Sequence, residues 1–182
     1  MLSSAKVCLL VLGLAWAEVE VQGSYVNEII QNGEFECAAN QILSYIGSDH
    51  DSTFHDRAWK LQCREAGSAT SGCYWTNYLN RHFQWMQYSC PGNEVLNGIN
   101  TYYCTDYEYR RFKVQCCTVT NLIPRNCHYT NYINDWHQAM SYHVPAGKVI
   151  KGVISKPCRR RRDRRWKLYI CDDDIDIPSI AN

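Results

Sequence analysis

The sequence is poor in the features that most often betray an activity. Its 182 residues contain no Gly-x-Ser-x-Gly, no His-Glu-x-x-His and no phosphate-binding glycine loop, so catalysis has no motif to rest on and the chain reads as a non-enzyme. The six histidines (His50, His55, His82, His128, His137 and His143) have no metal-ligand spacing, and no Cys-x-x-Cys pair occurs. A structural zinc site is therefore not expected, and neither a metal nor a cofactor is implied. The absence of an Asn-x-Ser/Thr sequon excludes N-glycosylation at that signal. Without Arg-Gly-Asp, integrin binding has no tripeptide to act through. Beyond the first 17 residues no apolar run is long enough to span a bilayer, so no membrane insertion is expected. Helical periodicity is weak throughout, and net charge is nearly zero.

What is present begins with a leader. Lys6, the apolar run Val7–Leu14 and Ala15-Trp16-Ala17 form the charged, apolar and small-residue parts of a secretory signal peptide. Cleavage is expected after Ala17, with Gly23 as the second choice, leaving a secreted chain in the extracellular space or matrix. Cys8 leaves with the leader. Ten of the 11 cysteines remain, an even number that in an exported chain implies disulfides.

The remainder repeats itself. Trp75-Thr76-Asn77-Tyr78-Leu79-Asn80 recurs as Tyr129-Thr130-Asn131-Tyr132-Ile133-Asn134, an offset of 54 that also carries Met86 to Met140, Cys104 to Cys158, Phe112 to Trp166 and Cys117 to Cys171. An offset of 53 carries Phe35 to Tyr88, Cys37 to Cys90, Trp59 to Phe112 and Cys63 to Cys116. Three copies follow, 25–73, 74–127 and 128–176, within one domain spanning 24–176 and followed by a tail at 177–182. The motif Asp56-Arg57-x-Trp59 returns as Asp163-Arg164-x-Trp166, with Tyr109-Arg110-x-Phe112 as a worn middle copy.

Each copy reads as strands. Val95–Ile99 and Val149–Val153 follow turns that start at Pro91 and Pro145, and Lys113–Cys117 and Lys167–Cys171 are short runs of β-branched and aromatic residues. The expected fold is all-β with pseudo-threefold symmetry, β-prism-like with a β-trefoil as alternative, and with Trp59, Phe112 and Trp166 as symmetry-related core anchors. The same symmetry constrains disulfide pairing. Cys37–Cys63 has Cys90–Cys116 as its equivalent, Cys73–Cys117 has Cys127–Cys171, and the remaining Cys104 and Cys158 would link copies two and three. Adjacent Cys116 and Cys117 leave an exchange of partners open.

Charge is concentrated in one place. Lys148 to Lys167 holds ten Lys or Arg against Asp163 alone. Arg159, Arg160, Arg161, Arg162, Arg164, Arg165 and Lys167 are the candidate ligands of a sulfated glycosaminoglycan, because Arg presents paired donors to sulfate oxygens. The alternatives are a solvated loop neutralised by Asp172–Asp174, and a processing-protease site at Arg162. Export argues against nucleic acid as the polyanion. Asp56-Arg57 and Asp163-Arg164 read as structural junctions, or else as contacts to sugar hydroxyls with Trp59 or Trp166 stacking on a sugar ring. Tyr102, Tyr103, Tyr107 and Tyr109, beside Asp106 and Glu108, read as strand aromatics or as tyrosine sulfation sites.

The motifs Asp56-Arg57-Ala58-Trp59 and Asp163-Arg164-Arg165-Trp166, the vicinal Cys116-Cys117 and the Phe35-x-Cys37 step together resemble the dermatopontin family over residues 25–171. The resemblance implies an extracellular matrix or body-fluid adhesion protein that binds proteoglycan chains, cell-surface glycans, collagen-associated matrix proteins and cells. It leaves room for a homo-oligomer. With a single Tyr in Glu18–Tyr25, the chain looks more like the haemagglutinin and amebocyte aggregation factor branch, where the implied role is that of a secreted lectin or a blood-cell aggregation factor.

Overall fold

The computed structural model describes residues 25–175; the expected leader at 1–17 and tail at 177–182 lie outside them. Eleven strands form among the described residues: β1 (Gly33–Glu36), β2 (Gln41–Asp51), β3 (Asp56–Glu65), β4 (Thr70–Trp75), β5 (Met86–Ser89), β6 (Glu94–Cys104), β7 (Tyr109–Val119), β8 (Leu122–Tyr129), β9 (Met140–His143), β10 (Lys148–Cys158) and β11 (Asp163–Ile175). Two short 3₁₀ turns, Thr105–Tyr107 and Arg159–Arg161, complete the set. The fold is all-β, as expected. The borders drawn at 73/74 and 127/128 fall inside β4 and β8, because the offset in the sequence gives the length of a copy and not where a strand ends.

The strands form three sheets, ordered β3-β2-β9, β1-β6-β7-β4 and β5-β10-β11-β8. Each sheet is centred on one long hairpin, and each takes a short edge strand from another copy. β1 of copy one pairs with β6, β5 of copy two with β10, and β9 of copy three returns to β2. Three separate sheets match the prism expectation better than a single trefoil barrel.

A β-bulge fixes each exchange. The register shifts at Ser44, Asn97 and Lys151, which the 53 and 54 offsets superpose. A bulge leaves a backbone group outside the ladder. Here those carbonyls accept the amides of Val144, Cys37 and Cys90, the residues that follow the short edge strands. The incoming backbone passes so close that a Cβ on Gly98 would lie 2.7 Å from the Phe35 carbonyl oxygen, and one on Gly152 2.3 Å from that of Tyr88.

The bulges also let both faces of the hairpins be buried. Leu43, Ile46, Leu96, Ile99, Ile150 and Val153 enter the main core, while Ile42, Val95 and Val149 enter a second cluster with Val119, Leu122 and Cys171. At the centre of the main core, Trp59, Phe112 and Trp166 meet edge to face with ring centroids 4.9–5.5 Å apart.

Four disulfides staple the copies: Cys37–Cys63, Cys90–Cys116, Cys73–Cys117 and Cys127–Cys171. The expected Cys104–Cys158 bridge does not form, and both are half-buried free thiols. The physical reason is where the two strands end. Both occupy the last position of a long strand, and each faces its own hairpin partner, Tyr109 or Asp163, so they lie in different sheets. The bridges that do form join non-equivalent positions. Where copy three lacks the inner bridge, Val144 and Ile170 fill the core instead. Where copy one lacks the outer bridge, Arg64 reaches Asp173 at 3.0 Å.

Candidate functional site

The three long hairpins turn at equivalent places: Ser52–His55, Thr105–Glu108 and Arg159–Arg162. The last residue of each adopts left-handed backbone, with φ of 53° at His55, 48° at Glu108 and 48° at Arg162. Such conformations are uncommon away from glycine. They are held by the turn hydrogen bonds Glu108 N–H to Thr105 and Arg162 N–H to Arg159, and in the first turn by Asp51 accepting from the Thr53 and Phe54 amides.

These turns surround the mouth of a pocket of about 50 Å³ where the three copies meet. Its lining repeats in layers down β3, β7 and β11: His55, Glu108 and Arg162 at the rim, then Asp56, Tyr109 and Asp163, then Arg57, Arg110 and Arg164, with Trp59, Phe112 and Trp166 at the floor. Phe83 and Tyr103 complete the wall. The Asp-Arg-x-Trp motif is therefore the wall of one shared site.

Its arginines reach across copies. Arg57 donates to both Asp163 oxygens, at 2.9 and 2.8 Å, and Arg110 donates in the same way to Asp56. Arg164 occupies the third position, but the partner there is Tyr109, whose hydroxyl it reaches at 3.1 Å. Each arginine also bonds one hydroxyl and one carbonyl: Ser48 and Gln138 for Arg57, Thr101 and Gln31 for Arg110, Ser155 and Gln84 for Arg164. Burial works to raise the Asp163 carboxyl, but the Arg57 hydrogen bonds and charge, with amide bonds from His137 and Arg164, hold it below the ordinary range. Burial pushes the Arg164 guanidinium down.

Sequence reasoning missed a supporting layer. Asn27, Asn80 and Asn134 each accept the amide of the floor aromatic, at 3.2, 2.9 and 2.9 Å, and donate to the carbonyl of the neighbouring Arg. The 53 and 54 offsets relate all three and carried the signal.

The structure divides the basic candidates. Arg159–Arg162 are all exposed on the third turn. There Arg159 lies 5.7 Å over Phe83, Arg161 5.6 Å over Trp136, and Arg162 pairs with Glu108 across the mouth. Strand alternation sends Arg164 inward, where it is 8% exposed, and Arg165 and Lys167 to the opposite face, stacked 3.9 and 4.9 Å over Tyr132. Arg111 and Lys113 lie on Tyr78 in the same way, so this stacking is a feature of the repeat. The tyrosine group also separates. Tyr107 is 60% exposed on the second turn, whereas Tyr109 is buried in the pocket wall.

His50, His137 and Asp163 place potential metal-ligand atoms within 4.8 Å of one another, a grouping drawn from two copies that no linear spacing reveals. Both Asp163 oxygens already accept from Arg57 and from amides, so a cation there would compete with a guanidinium.

Among the described residues no helix is long and apolar enough to cross a membrane. No solved structure matches the chain. Among curated proteins it is similar to a dermatopontin of Biomphalaria glabrata, 36% identical over 148 residues covering 81% of this chain and 99% of that one. It is also similar to a hemagglutinin/amebocyte aggregation factor of Limulus polyphemus, 34% identical over 81% of this chain and 87% of that one. Millepora cytotoxin-1 of Millepora dichotoma is 28% identical over 81% of this chain and 66% of its own length. A family model described as Dermatopontin matches residues 27–175, nearly the whole of the three-copy domain, and the chain thus belongs to the dermatopontin family.

Proposed function

We propose that this is a secreted, non-enzymatic adhesion protein that binds sulfated glycosaminoglycan or proteoglycan chains through the third hairpin turn. The observation that carries the reading is the difference among three equivalent turns. Two read Ser-Thr-Phe-His and Thr-Asp-Tyr-Glu, while the third is Arg159-Arg160-Arg161-Arg162, all exposed. Four guanidiniums on one short turn form a field that a polyanion follows, with paired donors for sulfate oxygens. Membership in the dermatopontin family and similarity to a hemagglutinin/amebocyte aggregation factor fit an adhesive or lectin-like role.

The test is elution from immobilised heparin. Replacing Arg159–Arg162 with Ala should lower the eluting salt concentration clearly, since each lost contact reduces the counterions released on binding. Unchanged elution would refute the assignment. The same basic turn argues against processing at Arg162, because the segment is a tight 3₁₀ turn between paired strands and proteases cut exposed, flexible loops.

A lectin or aggregation-factor role is the second reading, favoured by the Limulus relative. The three copies converge on one pocket, so crosslinking cells would require an oligomer, with avidity arising between chains. Haemagglutination blocked by a simple sugar selects this reading, and blockage by heparin alone selects the first.

A further inference from the structure

We propose that the axial pocket is a binding site for a single small oxyanion of the sulfate or phosphate class, held by Arg164 at the place where copy two carries Tyr109 instead of a carboxylate. The inference goes beyond polyanion binding by the basic turn and does not depend on it.

The argument is one of missing partners. In two of three equivalent positions a buried arginine grips a buried carboxylate with both Nε and a terminal nitrogen. In the third, Tyr109 stands where Asp56 and Asp163 stand elsewhere. Arg164 touches its hydroxyl once, at 3.1 Å, and among the described residues no acceptor bonds the Arg164 Nε. The Tyr109 hydroxyl is itself turned to the Arg81 carbonyl and the Asn80 amide, so it cannot stand in for a carboxylate. A guanidinium does not lose its proton in a protein, and a buried charge without a counter-charge is costly. The pocket wall carries four arginines against three carboxylates, and this excess of one positive charge is the charge of Arg164.

The space beside Arg164 suits such a ligand. The pocket holds about 50 Å³, room for a few waters or one small ion. A guanidinium without a carboxylate partner on the wall of so small a pocket fits an oxyanion, either free or borne on a larger molecule.

The experiment is thermal unfolding of the full chain with inorganic sulfate, phosphate or acetate, each against chloride at matched ionic strength. Binding predicts a rise in Tm that is logarithmic in anion above the dissociation constant, about 3–6 °C at ten times that constant, with a saturating change in tryptophan emission at constant temperature. General exclusion of sulfate from the surface gives a rise close to linear in concentration and no saturating change in emission. Arg164→Gln should abolish the response. Because that variant can fold poorly, Tyr109→Asp is the decisive one: it supplies the missing carboxylate, so Tm without anion should rise and the anion-dependent responses of Tm and emission should vanish. Arg159–Arg161→Ala, which leaves the pocket lining intact, should keep the shift even where heparin affinity falls. The response of phosphate against acetate identifies a tetrahedral or a carboxylate ligand. A wild-type protein with no saturating emission change and no logarithmic rise in Tm, a Tyr109→Asp variant that responds like wild type, or a response lost in Arg159–Arg161→Ala would each overturn the proposal.

Discussion

At the scale of single residues, the stability of the pocket wall depends on pairs that cannot be broken from one side. Asp56 and Arg110 are 4% and 5% exposed at the side chain, and Asp163 and Arg57 2% and 5%. Removing one member of such a pair strands the other, at a cost of about 3–5 kcal/mol. Asp56→Asn should therefore lower the denaturant midpoint by that equivalent, and more than Asp49→Asn, whose partner Lys60 lies at a more exposed pair. Asp163 adds a pH dependence. Its carboxyl is held below the ordinary value in the fold, so its contribution is present above the unfolded pKa, about 3.9, and is lost as pH falls through the folded value. Wild-type stability should fall as pH drops below about 4, and Asp163→Asn, already weaker at pH 7, should show a flatter acid limb in denaturant titrations. Cys104 and Cys158 make a third expectation: unreduced protein unfolded in guanidinium should release two titratable thiols from the described region, where a fifth bridge would release none.

At the scale of elements, the hairpin is the unit on which equivalent positions act alike, and this invites repair of the third copy. The inner bridges Cys37–Cys63 and Cys90–Cys116 have Cα–Cα distances of 5.8 and 5.7 Å and close loops of 26 residues. Val144 and Ile170 hold the same place, so Val144→Cys with Ile170→Cys should form a third bridge. A loop of that size gives about 3 kcal/mol in the chain-entropy model, and lost packing from the two larger side chains offsets part of it. Mass shift under alkylation and the midpoint of thermal unfolding check both halves. These elements were legible because repetition is a one-dimensional signal: the offsets related the turns at Pro91 and Pro145, the aromatic trio and the cysteine pairs across copies, with an exchange between Cys116 and Cys117 left open, while turn residues and β-branched runs marked the strands. The basic run was legible only in part. Charge density grouped Arg164, Arg165 and Lys167 with Arg159–Arg162, but the period of two along β11 turns Arg164 into the pocket and lays the other two on Tyr132. Pairing Cys104 with Cys158 by elimination failed because each ends a strand of a different sheet and faces its own hairpin partner, and an offset does not report the distance between equivalent positions.

At the scale of the molecule, what no linear pattern revealed is the exchange, since an offset says that copies are alike and not which copy receives a strand. The exchange closes a ring: β1 joins copy one to two, β5 joins two to three, and β9 joins three to one. Two Arg-to-Asp contacts and the Arg164-to-Tyr109 contact run around the same ring, and all three floor aromatics touch each other. Solenoid repeats stack in a line and can lose a terminal copy while the rest stay folded; a closed ring cannot. A fragment ending at residue 127 keeps copies one and two but deprives β2 of its edge strand β9, Cys127 of Cys171, Arg57 of Asp163, and Trp59 and Phe112 of Trp166. We expect that fragment to show no cooperative transition, while the whole domain with its disulfides intact unfolds in one, with calorimetric and van't Hoff enthalpies in agreement. Differential scanning calorimetry of both decides it. A fragment with its own sharp endotherm would show that the copies fold independently, and the pocket would then be an accident of their packing instead of the point where the fold is closed.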